Sequence, residues 1–124
     1  MKKILVCDDD EIMLTALAGK ISSEKLGDVV KANDGKEARE LLATQEFDLI
    51  ITDLHMPFYS GLDVVTYVRS DLNKSTPIIV LSGEGLENIV LQAFEAGASD
   101  FITKPFSAKD LVTKIKGLIL TEVA

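Results

Sequence analysis

At 124 residues, with 47% hydrophobic residues and a formal net charge of −7 at pH 7, the chain fits one domain, 1–124, with a substantial core. The acidic balance argues against direct nucleic-acid binding, which needs clustered lysine and arginine. The single cysteine, Cys7, excludes an internal disulfide, and because we find no signal-peptide or membrane-spanning pattern, we expect a cytoplasmic location without membrane contact.

The first half of the chain predicts two strands, each followed by a helix. An apolar run predicts a strand over 3–8, and apolar residues three and four apart predict an amphipathic helix over 11–23. A second, shorter strand is predicted at 29–30. Asp34, three residues before Glu37, resembles a capping box, so a helix should begin there and extend to about residue 45.

The second half repeats this alternation three times, with strands predicted at 48–53, 78–81 and 100–103 and helices at 62–72, 86–96 and from about 107 onward. Phe94 is predicted to face the core, and Gly97 should end its helix in the left-handed conformation. Alternating strands and helices predict an α/β fold in which helices cover both faces of a parallel sheet. The pattern alone leaves the strand order open.

Polar side chains follow four of the predicted strands where each one ends, namely Asp8 and Asp9, Asp53, Ser82 and Lys104. The carboxyl ends of parallel strands form the edge at which such sheets bind ligands. Two carboxylates about 4 Å apart repel by roughly 4 kcal/mol at an effective dielectric near 20, so the cluster should raise a pKa or bind a cation. Oxygen ligands alone favour Mg²⁺, which also binds phosphoryl oxygens.

This combination favours phosphoryl transfer to a carboxylate over permanent metal binding. The amine of Lys104 and the hydroxyl of Ser82 both suit a phosphoryl oxygen. The only histidine, His55, has no partner nearby in sequence, so we expect its imidazole to be an exposed loop side chain.

Five short motifs, in order and each at or shortly after a predicted strand end, together resemble the receiver domain of two-component response regulators: Asp8-Asp9, Asp53, Met56-Pro57 with Gly61, Ser82-Gly83, and Lys104-Pro105-Phe106. The resemblance covers about residues 3–120. It implies a flavodoxin-like (βα)5 fold, a doubly wound five-stranded parallel sheet in the order 2-1-3-4-5. It implies no output domain in this chain.

The resemblance also implies a function and a site. Asp53 would accept a phosphoryl group from the phosphohistidine of a sensor histidine kinase or phosphotransfer protein. Asp9 and Asp53 would bind Mg²⁺ directly, Asp8 through water and His55 through its backbone carbonyl. Lys104 would pair with the phosphoryl group. The protein would catalyse its own phosphorylation and dephosphorylation without being an enzyme for other substrates.

A conformational switch is implied as well. Ser82 would move toward the phosphoryl group and Phe101 would turn inward behind it, changing a surface over about 86–120 that binds a downstream protein target. The Lys104-Pro105 bond is expected to be cis. On general grounds Phe101 could equally be a plain core residue, and both interpretations stay open.

Several positions depart from the family pattern. Phe101 stands where many members have tyrosine, and Ser60 replaces a commonly acidic residue. His55 and Glu84 occupy positions that tune phosphoryl lifetime in the family. The adjacent aromatics Phe58-Tyr59 could serve loop packing or a partner contact.

Two other functions compete with the receiver interpretation. The Asp8-to-Asp10 segment also resembles the Asp-x-Asp motif of haloacid-dehalogenase phosphatases, with Asp8 as nucleophile. That alternative is weaker because Asp53 precedes Ser82, whereas a late acidic pair should follow Lys104. The other alternative is a receiver-like interaction module that is never phosphorylated.

Overall fold

Strands and helices alternate along the chain in the predicted order. The computed structural model describes residues 1–83, 85 and 87–119. The strands are β1 Lys3–Cys7, β2 Asp28–Ala32, β3 Leu49–Asp53, β4 Ile78–Ser82 and β5 Asp100–Thr103. The helices are α1 Glu11–Ser23, α2 Gly35–Thr44, α3 Gly61–Thr66, α4 Glu87–Ala96 and α5 Ala108–Ile119.

The strands form one parallel sheet in the order β2-β1-β3-β4-β5, which confirms the flavodoxin-like arrangement. The most central strand, β3, is buried along its whole length. Its neighbour β1 is apolar after the opening Lys3, and β4 is apolar up to its last residue, Ser82. This is the composition expected of parallel strands covered on both faces.

Successive residues of each strand point to opposite faces of the sheet, so the protein has two apolar layers. Leu5 and Cys7 lie in the layer beneath α2, α3 and α4. Ile4 and Val6 lie in the layer beneath α1 and α5. Helices α1 and α5 supply the second layer with its buried helical residues, Leu14, Leu17, Ile21, Leu111, Val112, Ile115 and Ile119.

Side-chain caps fix where two helices begin. Asp10 accepts hydrogen bonds of 3.0 and 3.3 Å from two backbone N–H groups in the first turn of α1. Asp34 accepts one of 2.8 Å from the backbone of Glu37, and the Glu37 carboxylate accepts one from the backbone of Asn33. The helix predicted from Asp34 is therefore present. Gly97 ends α4 with φ +118°, the left-handed conformation predicted for it.

Two elements differ from the prediction, one in extent and one in hydrogen bonding. β2 covers five residues where two were expected, because every residue from Asp28 to Ala32 pairs with β1. α3 continues over Tyr67–Asp71 in a wider helical turn, in which the N–H of Leu72 donates to the carbonyl of Tyr67, five residues earlier, at 3.0 Å. Such wide turns leave no mark in the apolar periodicity.

The prediction that Phe94 faces the core is wrong, since 39% of the residue is exposed. Val90 and Ala93 are the buried residues of α4, and Phe94 lies at the margin of that stripe. Leu86, predicted to begin this helix, and Glu84 lie outside the described residues. Among the helices that the structure describes, none is long and apolar enough to cross a membrane.

Candidate functional site

The register of the sheet brings the polar strand ends side by side. Cys7 pairs with Thr52, so Asp8, which follows β1, lies beside Asp53 at the end of β3. Ser82 pairs with Thr103, so Lys104 follows directly at the next strand end. The strand ends that the sequence predicted to share one edge of the sheet do share it.

Lys104 joins the cluster through its amine. Its Nζ atom lies 2.9 Å from Oδ2 of Asp53 and 3.2 Å from Oδ2 of Asp8. Its backbone N–H donates to the carbonyl of Ser82 at 2.6 Å, which fixes the start of the segment after β5. The Lys104-Pro105 bond is cis, as predicted.

Burial and charge shift two pKa values in this cluster. Burial raises the pKa of Asp8, and repulsion from Asp53 raises it further; the hydrogen bond from the backbone of Asp10 and the charge of Lys104 act in the other direction without cancelling the rise. Burial alone would lower the pKa of Lys104. The hydrogen bonds and charges of Asp53 and Asp8 outweigh that effect and raise it.

The donor set fits a hard divalent cation. Asp8, Asp9 and Asp53 each offer a carboxylate oxygen, and these oxygens lie within 4.8 Å of one another. Asp9 is exposed, so the group is open to solvent on that side. Lys104 neutralises only part of the charge of three carboxylates, and oxygen ligands of this kind suit Mg²⁺. In the part of the chain that the structure describes, no other group of acidic, histidine or cysteine side chains is so arranged.

The loop after β3, residues 54–60, closes over the end of that strand. The N–H of His55 donates to Oδ1 of Asp53 at 3.2 Å, and its imidazole is exposed, as expected for a loop side chain. The N–H of Gly61 donates to the carbonyl of Leu54 at 3.0 Å. A β carbon at Gly61 would lie 2.2 Å from the carbonyl oxygen of Asp53, so only glycine lets the chain pass this close.

Ser82 and Phe101 border one apolar cleft of about 320 Å³, which is also lined by Val90, Phe94 and Thr103. Ser82 is buried, whereas 37% of Phe101 is exposed. The ring of Phe101 meets that of Phe94 edge to face, with ring centres 5.9 Å apart. Phe101 is therefore not a plain core residue in this conformation, and the cleft offers space behind Ser82 into which a ring could move.

The sequence did not single out some residues near the site. Thr103 lines the same cleft as Ser82, and its position at a strand end before Lys104 was the available signal. Arg39, on α2, contacts the rings of Tyr59 and Tyr67. The spacing of apolar residues that predicts a helix does not predict such a contact. Cys7 is buried and burial raises its thiol pKa, so it is the inert core residue that was predicted.

The residues of the phosphatase motif are not arranged for that chemistry. Asp8 is fully buried and already accepts hydrogen bonds from Asp10 N–H and Lys104. The Asp10 side chain, which a phosphatase would need as its second acid, caps α1.

Comparisons with known proteins agree with this geometry. The family model for the response regulator receiver domain matches residues 4–116. The transcriptional regulatory protein SrrA of Staphylococcus aureus is 35% identical over 117 residues, which are 94% of this chain and 47% of that regulator. The chain thus spans about half the length of this curated relative.

Solved structures show the same fold over nearly the whole chain. The receiver domain of the Francisella response regulator 1452 is 31% identical, with a TM-score of 0.88 over 98% of this chain and 99% of that one. The chemotaxis response regulator CheY4 of Vibrio cholerae is 28% identical, with a TM-score of 0.87 over 95% and 98%. This chain belongs to the response regulator receiver domain family.

Proposed function

We propose that this receiver accepts a phosphoryl group on Asp53 from the phosphohistidine of a sensor histidine kinase or phosphotransfer protein. The observation that carries the proposal is the position of Asp53, whose carboxylate lies beside those of Asp8 and Asp9 and accepts a hydrogen bond from the amine of Lys104. An acceptor carboxylate flanked by acidic groups and one cation is the arrangement that phosphoryl transfer needs, since positioning and charge neutralisation dominate that reaction.

The covalent step is a displacement at phosphorus. A carboxylate oxygen of Asp53 forms the new P–O bond as the P–N bond of the donor histidine breaks, and the imidazole leaves with the electron pair. Dephosphorylation ends the signal: water attacks the same phosphorus, which restores the Asp53 carboxylate and releases inorganic phosphate. Lys104 offers its ammonium to the phosphoryl oxygens, and before transfer the carboxylates of Asp53 and Asp8 raise its pKa and keep it charged.

We propose that Asp9 and Asp53 bind Mg²⁺ directly, with Asp8 contributing through water and His55 through its backbone carbonyl. When bound, the ion supplies charge neutralisation at the transferring phosphoryl group. Asp8 is held for its part by the backbone N–H of Asp10, at 2.9 Å. The three carboxylates otherwise repel one another, which is a reason for them to take up a divalent cation.

The readout would follow from the same charges. A phosphoryl group brings nearly two negative charges and three acceptor oxygens. Ser82 and Lys104 would move toward these oxygens, and Phe101 would enter the cleft that Ser82 borders. The surface over about 86–120 would then bind a downstream protein target. Residues 1–124 would act as one regulatory domain in the cytoplasm, without direct contact to nucleic acid or membrane.

The direct test is transfer from a phosphorylated histidine kinase to this chain, in the presence of Mg²⁺. We expect label on the wild-type protein and none on Asp53→Asn. A receiver-like module that works without phosphorylation would instead bind its partner equally well as wild type and as Asp53→Asn. A phosphatase would release phosphate continuously from simple phosphate esters, which we do not expect.

A further inference from the structure

A cation stacked on two aromatic rings ties helix α2 to the loop that follows Asp53. The guanidinium carbon of Arg39 lies 4.2 Å from the ring centre of Tyr59 and 4.3 Å from that of Tyr67. Both distances are well inside the range of cation–π attraction, and arginine is the cation best suited to stacking on rings. We call these three side chains the Arg39 stack.

The same loop lies against the start of α2 through its backbone. A β carbon at Gly35 would lie 1.9 Å from the carbonyl oxygen of Tyr59, so the close approach requires glycine at that position. Tyr59 is therefore held twice, by its ring on Arg39 and by its backbone on Gly35. These two contacts fasten the outer part of the loop over 54–60 to α2.

The residue before Tyr59 explains why the loop needs fastening. Phe58 has φ +70°, a left-handed conformation that bulky residues rarely adopt, and 75% of the residue is exposed. Little of its side chain is available to hold that backbone in place. Strained conformations of this kind persist only where the surrounding structure enforces them. The Arg39 stack supplies that restraint at the next residue.

The inner part of the loop reaches the candidate metal site. The N–H of Leu54 donates a hydrogen bond to the carbonyl of Leu81, and the carbonyl of Leu54 accepts a hydrogen bond from the N–H of Gly61, both at 3.0 Å. Between this closed base and Tyr59 lies His55, whose N–H donates to Asp53. The orientation of the His55 carbonyl therefore depends on how both ends of the loop are held.

We propose that Arg39 is a positioning residue for the Asp53 site, which acts by stacking on Tyr59 and Tyr67 and so fixing the loop that carries His55. The inference rests on the proposed function, because it assigns to the loop a part in binding Mg²⁺. Of the adjacent aromatics Phe58-Tyr59, Tyr59 packs against Arg39, while Phe58 is exposed.

The experiment measures Mg²⁺ affinity by calorimetry and hydrogen exchange of the His55 and Gly61 amides in the full chain. Arg39→Ala should weaken Mg²⁺ binding about tenfold, the lower end of the effect of losing a group that orients a ligand, and should speed exchange of both amides. Arg39→Lys keeps a cation but loses the flat guanidinium that stacks on both rings, so it should recover only part of the affinity. Tyr59→Phe keeps the ring and should behave as wild type.

Two controls separate positioning from other effects. Lys36→Ala removes an exposed cation from the same helix and should leave both readouts unchanged. Ile21→Val weakens the core beneath α1, far from the loop in sequence and on the opposite face of the sheet, and should leave Mg²⁺ affinity unchanged. If Arg39→Ala fails to fold, Tyr67→Leu, which removes one of the two rings, becomes the test variant.

Wild-type affinity retained in Arg39→Ala would overturn the inference, whether or not amide exchange becomes faster. Equal loss of affinity in Lys36→Ala would overturn it too, since the effect would then come from net charge. Failure of the wild-type protein to bind Mg²⁺ would contradict the proposed function itself. It would also remove any role of the Arg39 stack in binding the ion. Unchanged amide exchange in Arg39→Ala would then show separately that the stack does not hold the loop.

Discussion

The amine of Lys104 lies 2.9 Å from a carboxylate oxygen of Asp53, although 51 residues separate the two in the chain. The same amine is 3.2 Å from Asp8, so one cation serves two acidic groups. This sharing helps to hold the carboxylates of Asp8 and Asp53 close together despite their repulsion. It also places a cation beside the carboxylate that we propose as the phosphoryl acceptor.

Replacement of Lys104 by methionine should destabilise the fold by about 1–3 kcal/mol, because Asp8 is fully buried and would lose its cation. The loss should be smaller than for a completely buried pair, since the Lys104 side chain is 23% exposed. Urea denaturation at pH 7 measures this difference. Lys114→Met is the control: Lys114 pairs with Asp100, both are about one-third exposed, and the cost should stay below about 1 kcal/mol.

Stability at alkaline pH should depend on Lys104. Its pKa in the folded protein is raised above the usual value of 10.5, so the folded state binds its proton more tightly than the unfolded state. The contribution is complete below pH 10.5 and is lost as pH rises through the folded pKa. Wild type should therefore lose more stability than Lys104→Met above pH 10.5. If the free energies of unfolding of the two proteins, measured by urea denaturation, changed in parallel across that pH range, the raised pKa of Lys104 would be contradicted.

The pKa of Asp8 should fall in Asp53→Asn. Repulsion from Asp53 is one cause of the raised pKa of Asp8. Without the charge of Asp53, the amine of Lys104 has Asp8 as its one charged partner in this pair, which should also lower the pKa. Burial remains, so part of the rise should persist. A carboxyl-carbon NMR titration without Mg²⁺ measures both proteins. An unchanged or higher value in the variant would show that the two carboxylates do not interact as the geometry indicates.

Two glycine-to-alanine changes should have opposite effects. Gly61→Ala should cost more than about 2 kcal/mol, because the new methyl group would lie 2.2 Å from the backbone oxygen of Asp53 and must displace the strand end. Gly19→Ala, within α1, meets nothing within 4 Å and should stabilise the protein by about 0.5–1 kcal/mol. Thermal or urea unfolding of both variants checks the contrast.

The sequence predicted much of the fold because apolar runs and helical stripes mark buried faces directly. Strand order needed more than the pattern, and the resemblance to a known family supplied it. Phe94 shows the limit of periodicity: a residue at the edge of a stripe is buried only if a neighbouring element covers it. The wide turn at Tyr67–Asp71 could not be predicted either, since it depends on backbone hydrogen bonding and not on residue type.

The candidate site was predictable for a physical reason. Parallel strands end at one edge, so polar residues that follow Cys7, Thr52 and Thr103 must lie near one another. The Arg39 stack had no such signal, because its three members come from separate elements and each alone is an ordinary helix or loop residue. Contacts of this kind emerge only when packing is known.

The most direct test of the central claim is intact mass after incubation with acetyl phosphate, with and without Mg²⁺, for wild type and Asp53→Asn. We expect one phosphoryl adduct on the wild-type protein, dependent on Mg²⁺, and none on the variant. An adduct that persists in Asp53→Asn would contradict the account, because it would move the acceptor to another residue. The account would also be contradicted if the wild-type protein binds Mg²⁺ but gains no phosphoryl group, either from acetyl phosphate or from a phosphorylated histidine kinase.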